Sequence, residues 1–313
     1  MSGAVPSLSV VIPVYNSEGS LRELVKRLEP VLSARAAPFE ILLVNDGSRD
    51  RSWSVVSEIA REHAFVRGIN LMRNYGQHNA LLCGIRAADH DVILTMDDDL
   101  QHPPEEIDAL VGALDEGVDV VYGTPKQEPH GLLRGLASRL TKLALERAMG
   151  AETARKVSAL RVFRTHLRDA FSEYRSPHVS VDILLTWATT RFASVVVRHD
   201  ERKVGASNYS LRMLFTHALN MVTGFSTLPL RMASWIGFAF TLFGIAVLGF
   251  VLSRYLVYGS VVQGFPFLAS LIAIFSGAQL FALGIIGEYL ARMHVRMMDR
   301  PAYTVRSRTT EKG

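Results

Sequence analysis

The sequence predicts an α/β fold with a mostly parallel, Rossmann-like sheet, plus interfacial helices and two C-terminal transmembrane helices. Three observations lead to this prediction. Strand-like apolar runs alternate with helical patterns, which is typical of a parallel sheet covered on both faces. Polar residues directly follow several of these runs. Two long stretches near the C-terminus, 232–252 and 255–287, contain no charged residue.

Strands and helices alternate along the first part of the chain. Residues 8–14 and 39–45 are aliphatic runs with the composition of strands, and residues 17–32 between them have the apolar spacing of a helix. Because strand–helix–strand units cross over in a right-handed sense, they build one sheet. The further predicted elements are strands at 66–72, 91–96 and 119–123 and helices at 52–63 and 76–88.

Composition narrows the class of protein. The 313 residues are 49% apolar, which provides a sizeable core, and the net charge is +4 with a pI of about 9.3. The basic residues are spread along most of the chain and are more frequent near the apolar stretches. They therefore indicate a membrane surface and phosphate-bearing substrates, and no nucleic acid. The single cysteine, Cys83, excludes an internal disulfide and is typical of a reducing compartment.

The apolar stretches predict two transmembrane helices, at about 232–256 and 265–289, each longer than the roughly 20 residues that cross a bilayer. The link between them has no charge. By the positive-inside rule the link faces outward, and the α/β domain and both termini are cytoplasmic. The basic residues that flank the pair are Arg212, Arg231, Arg292, Arg296, Arg300 and Arg306.

Two further segments have the pattern of interfacial helices. Residues 131–149 place leucines on one helical face and basic residues on much of the other, which is typical of a helix at a membrane surface. A helix packed on the sheet is the alternative for this segment. The predicted regions are an α/β domain at 1–210, an interfacial amphipathic helix at 211–230, a two-helix anchor at 231–291 and a C-terminal tail at 292–313.

The segment MDDDLQHPP places three adjacent carboxylates at the end of a predicted strand. Ligands of α/β sheets bind beyond the carboxyl ends of the strands, and Asp46 follows a neighbouring strand at the same edge. Mg²⁺ or Mn²⁺ takes oxygen ligands from carboxylates and substrate phosphates. In an extended segment, alternation places Asp97, Asp99 and Gln101 on one side and Asp98 on the other. A solvated acidic turn is the alternative, which the arrival of Asp46 makes less favourable.

Several motifs occur in the order and spacing of a known family. They are VVIPVYN, VNDGSRD, RNYGQHNALLCGI, MDDDLQHPPEEI and ERKVGASNYS, followed by the apolar pair with LPLRM before it and GEYLARM after it. Over residues 8–305 the chain resembles the family 2 glycosyltransferases with a GT-A fold. Within them it is similar to the polyprenyl-phosphate glycosyltransferases, the group of dolichyl-phosphate mannose synthase and the undecaprenyl-phosphate sugar transferases.

This resemblance implies a reaction and its partners. The donor is a nucleotide-diphosphate sugar such as a UDP-sugar, the acceptor is a polyprenyl phosphate such as undecaprenyl phosphate, and the cofactor is Mg²⁺ or Mn²⁺. Direct attack on the anomeric carbon implies inversion. The location is the lipid bilayer of the bacterial inner membrane. Related enzymes form homo-oligomers, including tetramers, and residues 301–305 are a candidate for an added edge strand.

The resemblance also assigns roles to residues at matching positions. The residues implied to bind the nucleotide sugar are Pro13, Tyr15, Ser17, Val44, Asp46, Asp98 and Lys126. The residues implied in catalysis are Asp97, Asp99 and Arg202. The residues implied to hold the metal are Asp97, Asp99 and Gln101. The residues that the resemblance implies for the acceptor phosphate are Arg134 and Ser138, to which we add Arg155 as a hypothesis of our own.

The chain departs from the family at several positions. Pro125 stands where a basic residue is expected, with Lys126 adjacent, and Asn208 stands where the family has Lys. Ser17 stands where the family has a nucleotide-contacting Glu, and Glu18 is a candidate replacement.

Arg155 stands where the family often has an Asp. The chemistry does not depend on that Asp, because a phosphate monoester has a second pKa of about 6 and is already largely dianionic near neutral pH. Bringing two anions together is the harder task, and Arg155 is our hypothesis for a further ligand of the acceptor phosphate.

Two other functions fit parts of the sequence. A processive polysaccharide synthase typically has a QxxRW motif and more spans, and none of Trp53, Trp187 and Trp235 follows an Arg in that pattern. A catalytically weak membrane scaffold or lipid-translocation partner is suggested by the departures at Ser17 and Arg155. Two spans are few for a transport path, however, and the carboxylates would then have no use.

Overall fold

The chain divides into two compact units. A computed structural model describes residues 5–125, 157–177, 179–200, 228–258 and 264–309. One unit comprises Met1–Ser210 together with Asp299–Gly313, and the other comprises Leu211–Met298. The predicted C-terminal tail, 292–313, is therefore divided between the units. Its residues up to Met298 belong to the second unit, and those from Asp299 belong to the first.

The first unit is built from strands and helices that alternate along the chain. Its strands within the described ranges are β1 (Leu8–Val14), β2 (Phe39–Asn45), β3 (Val66–Leu71), β4 (Val92–Thr95), β5 (Val120–Pro125), β6 (Arg161–Arg164), β7 (Phe192–Val197) and β8 (Val305–Arg308). Its helices there are α1 (Leu21–Ala34), α2 (Ser52–Glu62), α3 (Gln77–Ala87), α4 (Ile107–Gly112) and α5 (Val181–Ala188), with 3₁₀ helices at Pro104–Glu106 and Thr165–Phe171.

The strands form one sheet in the order β7-β5-β6-β4-β1-β2-β3-β8. The pairs β4–β1, β1–β2, β2–β3 and β5–β7 are parallel, whereas β6 and β8 run antiparallel to their neighbours. The predicted mostly parallel α/β sheet is therefore confirmed. β1 lies between β2 and β4, so the strand order reverses between β1 and β4. In such sheets ligands bind in the crevice beyond the carboxyl ends of the two strands at this point.

Both faces of the sheet are covered by apolar side chains. On one face the sheet packs against α1, α2 and α4, and on the other against α3 and α5. Leu24 and Leu28 of α1 and Leu82 of α3 are fully buried, and burial of each such side chain contributes roughly 1.5–3 kcal/mol. This two-sided core holds the carboxyl ends of the strands in place.

The second unit contains two long apolar helices, α6 (Leu228–Tyr258) and α7 (Phe265–Met297). Each contains a stretch that is long and apolar enough to cross a membrane, Leu230–Arg254 and Ile274–Ala291. Large apolar side chains such as Trp235 are exposed along these helices, and contiguous apolar surface of this kind needs a non-aqueous environment. Both helices extend beyond the predicted spans.

Candidate active site

Segments that follow neighbouring strands meet at the carboxyl edge of the sheet. Tyr15 follows β1 and Asp98 follows β4, and the backbone N–H of Tyr15 donates to Asp98 Oδ2 at 3.4 Å. Pro13 of β1 lies opposite Val44 of β2 in the parallel register, two residues before Asp46. The described residues that the sequence predicted to act together therefore do converge at this edge.

Asp98 is a half-buried carboxyl group with an altered pKa. Burial is the main reason that the pKa of Asp98 is raised to about 6, and the charge of Asp99 adds to the rise. Hydrogen bonds from the Ser17 hydroxyl and the Tyr15 N–H oppose it. Ser17 thus contacts an acidic residue of the site from the position where the family has a Glu.

Asp46 holds the turn between β3 and α3. Its Oδ1 accepts the backbone N–H of Tyr75 at 2.7 Å, and its Oδ2 accepts that of Gly76 at 2.8 Å. Burial raises the pKa of Asp46 above its usual value, although these two hydrogen bonds oppose the rise. The carboxylate therefore fixes backbone that is 30 residues away in sequence.

Gly47 allows two turns to touch through their backbones. It has φ of +64°, and a Cβ added there would lie 2.4 Å from the carbonyl carbon of Arg73 and 2.5 Å from the backbone nitrogen of Asn74. No side chain fits at that distance, and the left-handed conformation also favours glycine. The turn after β2 and the turn after β3 therefore form one compact edge.

The carboxylates after β4 face different neighbours. Gln77, the first residue of α3, donates its side-chain Nε2–H to Asp97 Oδ1 at 2.6 Å. Asp98 faces β1 instead, as the alternation of an extended segment predicts. Leu100 has φ of +63°, which bends the chain before Gln101. The contacts of Asp97 and Asp98 therefore agree with the extended-segment argument, which does not reach Gln101 because the chain bends before it.

The residues after β4 fit a divalent cation that is shared with a substrate. Asp97 and Asp99 are half-buried carboxylates, and the backbone N–H of Gln101 donates to Asp99 Oδ1 at 3.1 Å. Within the part of the chain that the structure describes, no group of three or more His, Cys, Asp or Glu side chains is arranged to hold a metal. One or two carboxylates with substrate phosphates and waters are the usual ligands of Mg²⁺, so the residue types in this segment suit a cation that a substrate helps to hold.

The segment after β7 packs on the same loop. The backbone N–H of Asp200 donates to the carbonyl oxygen of Gln101 at 2.9 Å, and the rings of His102 and His199 meet edge to face with centroids 5.1 Å apart. Burial lowers the pKa of His102 to about 4, and His199 contributes to the decrease. His102 is therefore a neutral, packed side chain.

Several predicted site residues lie outside the described residues, and their roles stay predictions. These residues are Lys126, Arg134, Ser138, Arg155 and Arg202.

Sequence reasoning missed two features of this region. Gln77 is the first residue of α3 and is separated from the end of β3 at Leu71 by a turn, so the strand-end rule that found Asp46 and Asp97 does not reach it. The second feature is a buried ion pair between Arg161 and Asp182, whose Oδ1 also accepts the hydroxyl of Tyr122 at 3.0 Å. An arginine beside a short apolar run is usually exposed, so no pattern in the sequence indicates this pair.

Comparison with known proteins identifies close full-length relatives. Residues 9–170 match the family model described as Glycosyl transferase family 2. Two curated relatives are both named undecaprenyl-phosphate 4-deoxy-4-formamido-L-arabinose transferase. The protein of Enterobacter sp. (strain 638) is 38% identical over 99% of this chain and 95% of its own length. The protein of Shewanella sediminis (strain HAW-EB3) is 37% identical over 95% of this chain and 91% of its own length.

Solved structures share the fold. The crystal structure of Mycobacterium tuberculosis glucosyl-3-phosphoglycerate synthase in complex with Mn²⁺, UDP-glucose and phosphoglyceric acid has a TM-score of 0.51 at 19% identity. The match covers 70% of this chain and 78% of that chain. Together with the family match, this likeness confirms the predicted GT-A fold.

Proposed function

The chain belongs to glycosyl transferase family 2, and we propose that it transfers a sugar from a UDP-sugar to undecaprenyl phosphate. The products are the undecaprenyl-phosphate sugar and UDP, and the product serves modification of cell-envelope glycans. The full-length relatives support the acceptor, because their names specify undecaprenyl phosphate and they align with 95–99% of this chain.

One structural observation supports this function more than any other. The backbone N–H of Tyr15, which follows β1, donates to Asp98. Asp98 is the middle residue of the acidic segment Asp97–Asp99 that follows β4. An aromatic residue that is 39% exposed therefore follows β1 where its backbone meets the acidic segment after β4. A nucleoside diphosphate needs both an apolar surface for its base and a cation for its phosphates.

The donor end of the proposed mechanism uses residues at this edge. Tyr15 contributes its exposed side chain to the nucleoside pocket, the buried Pro13 and Val44 support it from β1 and β2, and Asp46 supports it through the turn that it holds. Asp97 and Asp99, with Gln101, would hold Mg²⁺ or Mn²⁺. A cation bound there neutralises charge on the leaving diphosphate. Ser17 and Asp98 lie beside the donor.

The acceptor end of the mechanism follows from the chemistry of a phosphate monoester. A phosphate oxygen attacks the anomeric carbon, the bond from that carbon to the diphosphate oxygen breaks, and the configuration inverts. The attacking group is already ionised near neutral pH, so no strong general base is required. Our proposal assigns the acceptor phosphate to Arg134, Ser138 and Arg155, and the donor diphosphate to Lys126 and Arg202, so that basic groups offset the repulsion between the two anions.

The membrane helices supply the location. We infer that α6 and α7 anchor the protein in the inner membrane, with the α/β unit and both termini on the cytoplasmic side. The phosphate of the lipid lies in the headgroup layer on that side. A homo-oligomer, with a tetramer as one arrangement, is part of the same proposal.

Product formation tests the proposed function. Purified protein in nanodiscs with undecaprenyl phosphate is mixed with Mg²⁺ or Mn²⁺ and, in separate reactions, with a panel of UDP- and GDP-sugars. The lipid fraction is then read by mass spectrometry. We expect one UDP-sugar to give a lipid adduct that carries a single phosphate and is absent when the metal or the lipid is omitted. Absence of an adduct with every donor, together with absence of metal-dependent nucleotide binding, would favour the scaffold alternative.

A further inference from the structure

The side-chain amide of Gln77 contacts one of the two carboxylates that the proposed function uses. Its Nε2 lies 2.6 Å from Asp97 Oδ1, a short distance typical of a hydrogen bond to an ionised acceptor. The reverse orientation of the amide would set two oxygen atoms against each other, so Gln77 must act as the donor. A neutral donor fixes the orientation of the carboxylate without competing with it for a cation.

The backbone that carries Gln77 is held by hydrogen bonds with two side chains. Asp46 accepts the N–H groups of Tyr75 and Gly76, the two residues before it. The side-chain Nδ2–H of Asn79 donates to the carbonyl oxygen of Tyr75 at 2.6 Å. Gly76 has φ of +97°, which directs the chain into α3 at Gln77. The Gln77 side chain is itself exposed, but its contact with Asp97 starts from backbone that is held in place.

We propose that Gln77 is a positioning residue: its amide holds Asp97 in the orientation in which this carboxylate binds the divalent cation of the donor complex. The inference rests on the proposed function, because it presumes that Asp97 takes part in binding the cation. Ligating carboxylates are commonly oriented by hydrogen bonds from such neighbours. Loss of the neighbour typically weakens metal affinity by about 10- to 100-fold.

A purely structural role for Gln77 predicts a different pattern. If the amide only tied α3 to the loop after β4, its loss would weaken UDP binding equally at every metal concentration. If it orients a metal ligand, the loss appears as a higher metal requirement, and saturating metal restores UDP binding. Metal titration therefore distinguishes the two roles.

The experiment compares Gln77→Ala with a matched control in the full-length protein in detergent. The control is Asn74→Ala, which removes an exposed amide from the same turn. Binding of Mn²⁺ in the presence of UDP is followed by the loss of the electron paramagnetic resonance signal of free Mn²⁺, and UDP affinity is measured at each Mn²⁺ concentration. We expect Gln77→Ala to raise the half-saturating Mn²⁺ concentration about tenfold or more. Asn74→Ala should match the wild type, and saturating Mn²⁺ should restore UDP affinity in Gln77→Ala.

Three results would overturn the inference, and they have different meanings. Equal Mn²⁺ binding by the wild type and Gln77→Ala overturns it and leaves the proposed function intact. Weaker UDP binding by Gln77→Ala that no Mn²⁺ concentration restores, with a lower melting temperature, makes Gln77 a structural tie. UDP binding by the wild type without any metal dependence removes the cation from the proposed function, and the role of Gln77 with it.

Discussion

Asp46 and Gly47 are the residues on which the geometry of the site edge depends most directly. A buried carboxylate is costly unless hydrogen bonds compensate it, and Asp46 receives them from Tyr75 and Gly76. Gly47 then brings the backbone of its own turn against Arg73. Single substitutions at these two positions should therefore act on the site without touching Asp97 or Asp99.

The raised pKa of Asp46 makes its contribution to stability depend on pH. The folded protein binds this proton more tightly than the unfolded chain, whose Asp pKa is about 3.9. The contribution to the free energy of unfolding is therefore fully present below pH of about 4 and falls as the pH rises through the native pKa. Asp46→Asn does not titrate, so the stability of the wild type relative to this variant should fall over that interval. Urea unfolding followed by tryptophan fluorescence measures the difference, and a constant difference across pH would contradict the prediction.

Gly47→Ala should separate the turns after β2 and β3. The added Cβ would overlap backbone atoms of Arg73 and Asn74, and the backbone at φ of +64° is strained for alanine. We expect at least a tenfold loss of UDP affinity and about 2–4 kcal/mol lower free energy of unfolding. The matched control is Gly19→Ala, because a Cβ at Gly19 meets nothing within 4 Å. If the two variants behaved alike in calorimetric UDP titration, the close approach at Gly47 would not matter.

At the scale of elements, sequence periodicity was sufficient for the centre of the sheet but not for its margins. The bounds of β1 and β2 match the prediction because both strands are short, mostly apolar segments that are almost wholly buried. β6 was missed because its four residues begin and end with Arg, and burial of Arg161 depends on Asp182, which is distant in sequence. The predicted edge strand at 301–305 forms at Val305–Arg308 and pairs with β3 of the same chain. Long-range pairing of this kind has no local signal.

The candidate site, like the sheet, was predicted from the sequence only in part. The strand-end rule found Tyr15, Asp46 and the carboxylates after β4, because the carboxyl ends of parallel strands share an edge. It could not find the hydrogen bonds that Asp46 accepts from the turn before α3. The donors are backbone N–H groups, which every residue other than proline has, so the sequence does not indicate them.

β8 should stabilise the α/β unit through its pairing with β3. The backbone N–H of Thr309 donates to Gly68, that of Met72 donates to Thr304, and Ala302 is buried. Removing residues 299–313 would expose the edge of β3 beside the turn that carries Gln77. We expect the melting temperature of the detergent-solubilised protein to fall by about 5–10 °C. A chain that ends at Thr309 is the control and should melt like the full-length protein, whereas equal melting of both truncated chains would contradict the role of β8.

At the scale of the whole molecule, the account requires the α/β unit on one side of the membrane and the link between α6 and α7 on the other. Cys83 is buried, and burial raises its pKa to about 12, so the native chain has little background reactivity toward thiol reagents. The labelling of a cysteine introduced into a Cys83→Ala background therefore shows on which side of the membrane that position lies.

Labelling of intact cells tests this orientation. A membrane-impermeant maleimide should label Ser260→Cys, in the link, in intact cells. It should label Thr310→Cys, near the C-terminus, after the inner membrane is permeabilised and not before. Labelling of the C-terminal cysteine in intact cells would place the C-terminus outside and contradict the proposed orientation.

The most direct test of the central claim is the initial rate at which Asp99→Asn forms the undecaprenyl-phosphate sugar, measured beside the wild type with the donor that the panel selects. The substitution removes a negative charge and keeps the size of the side chain. We predict a rate about a thousandfold lower at saturating Mn²⁺, since a catalytic cation contributes several kcal/mol to the stabilisation of the leaving diphosphate. A rate for Asp99→Asn equal to that of the wild type would contradict the assignment of the carboxylates after β4 to sugar transfer.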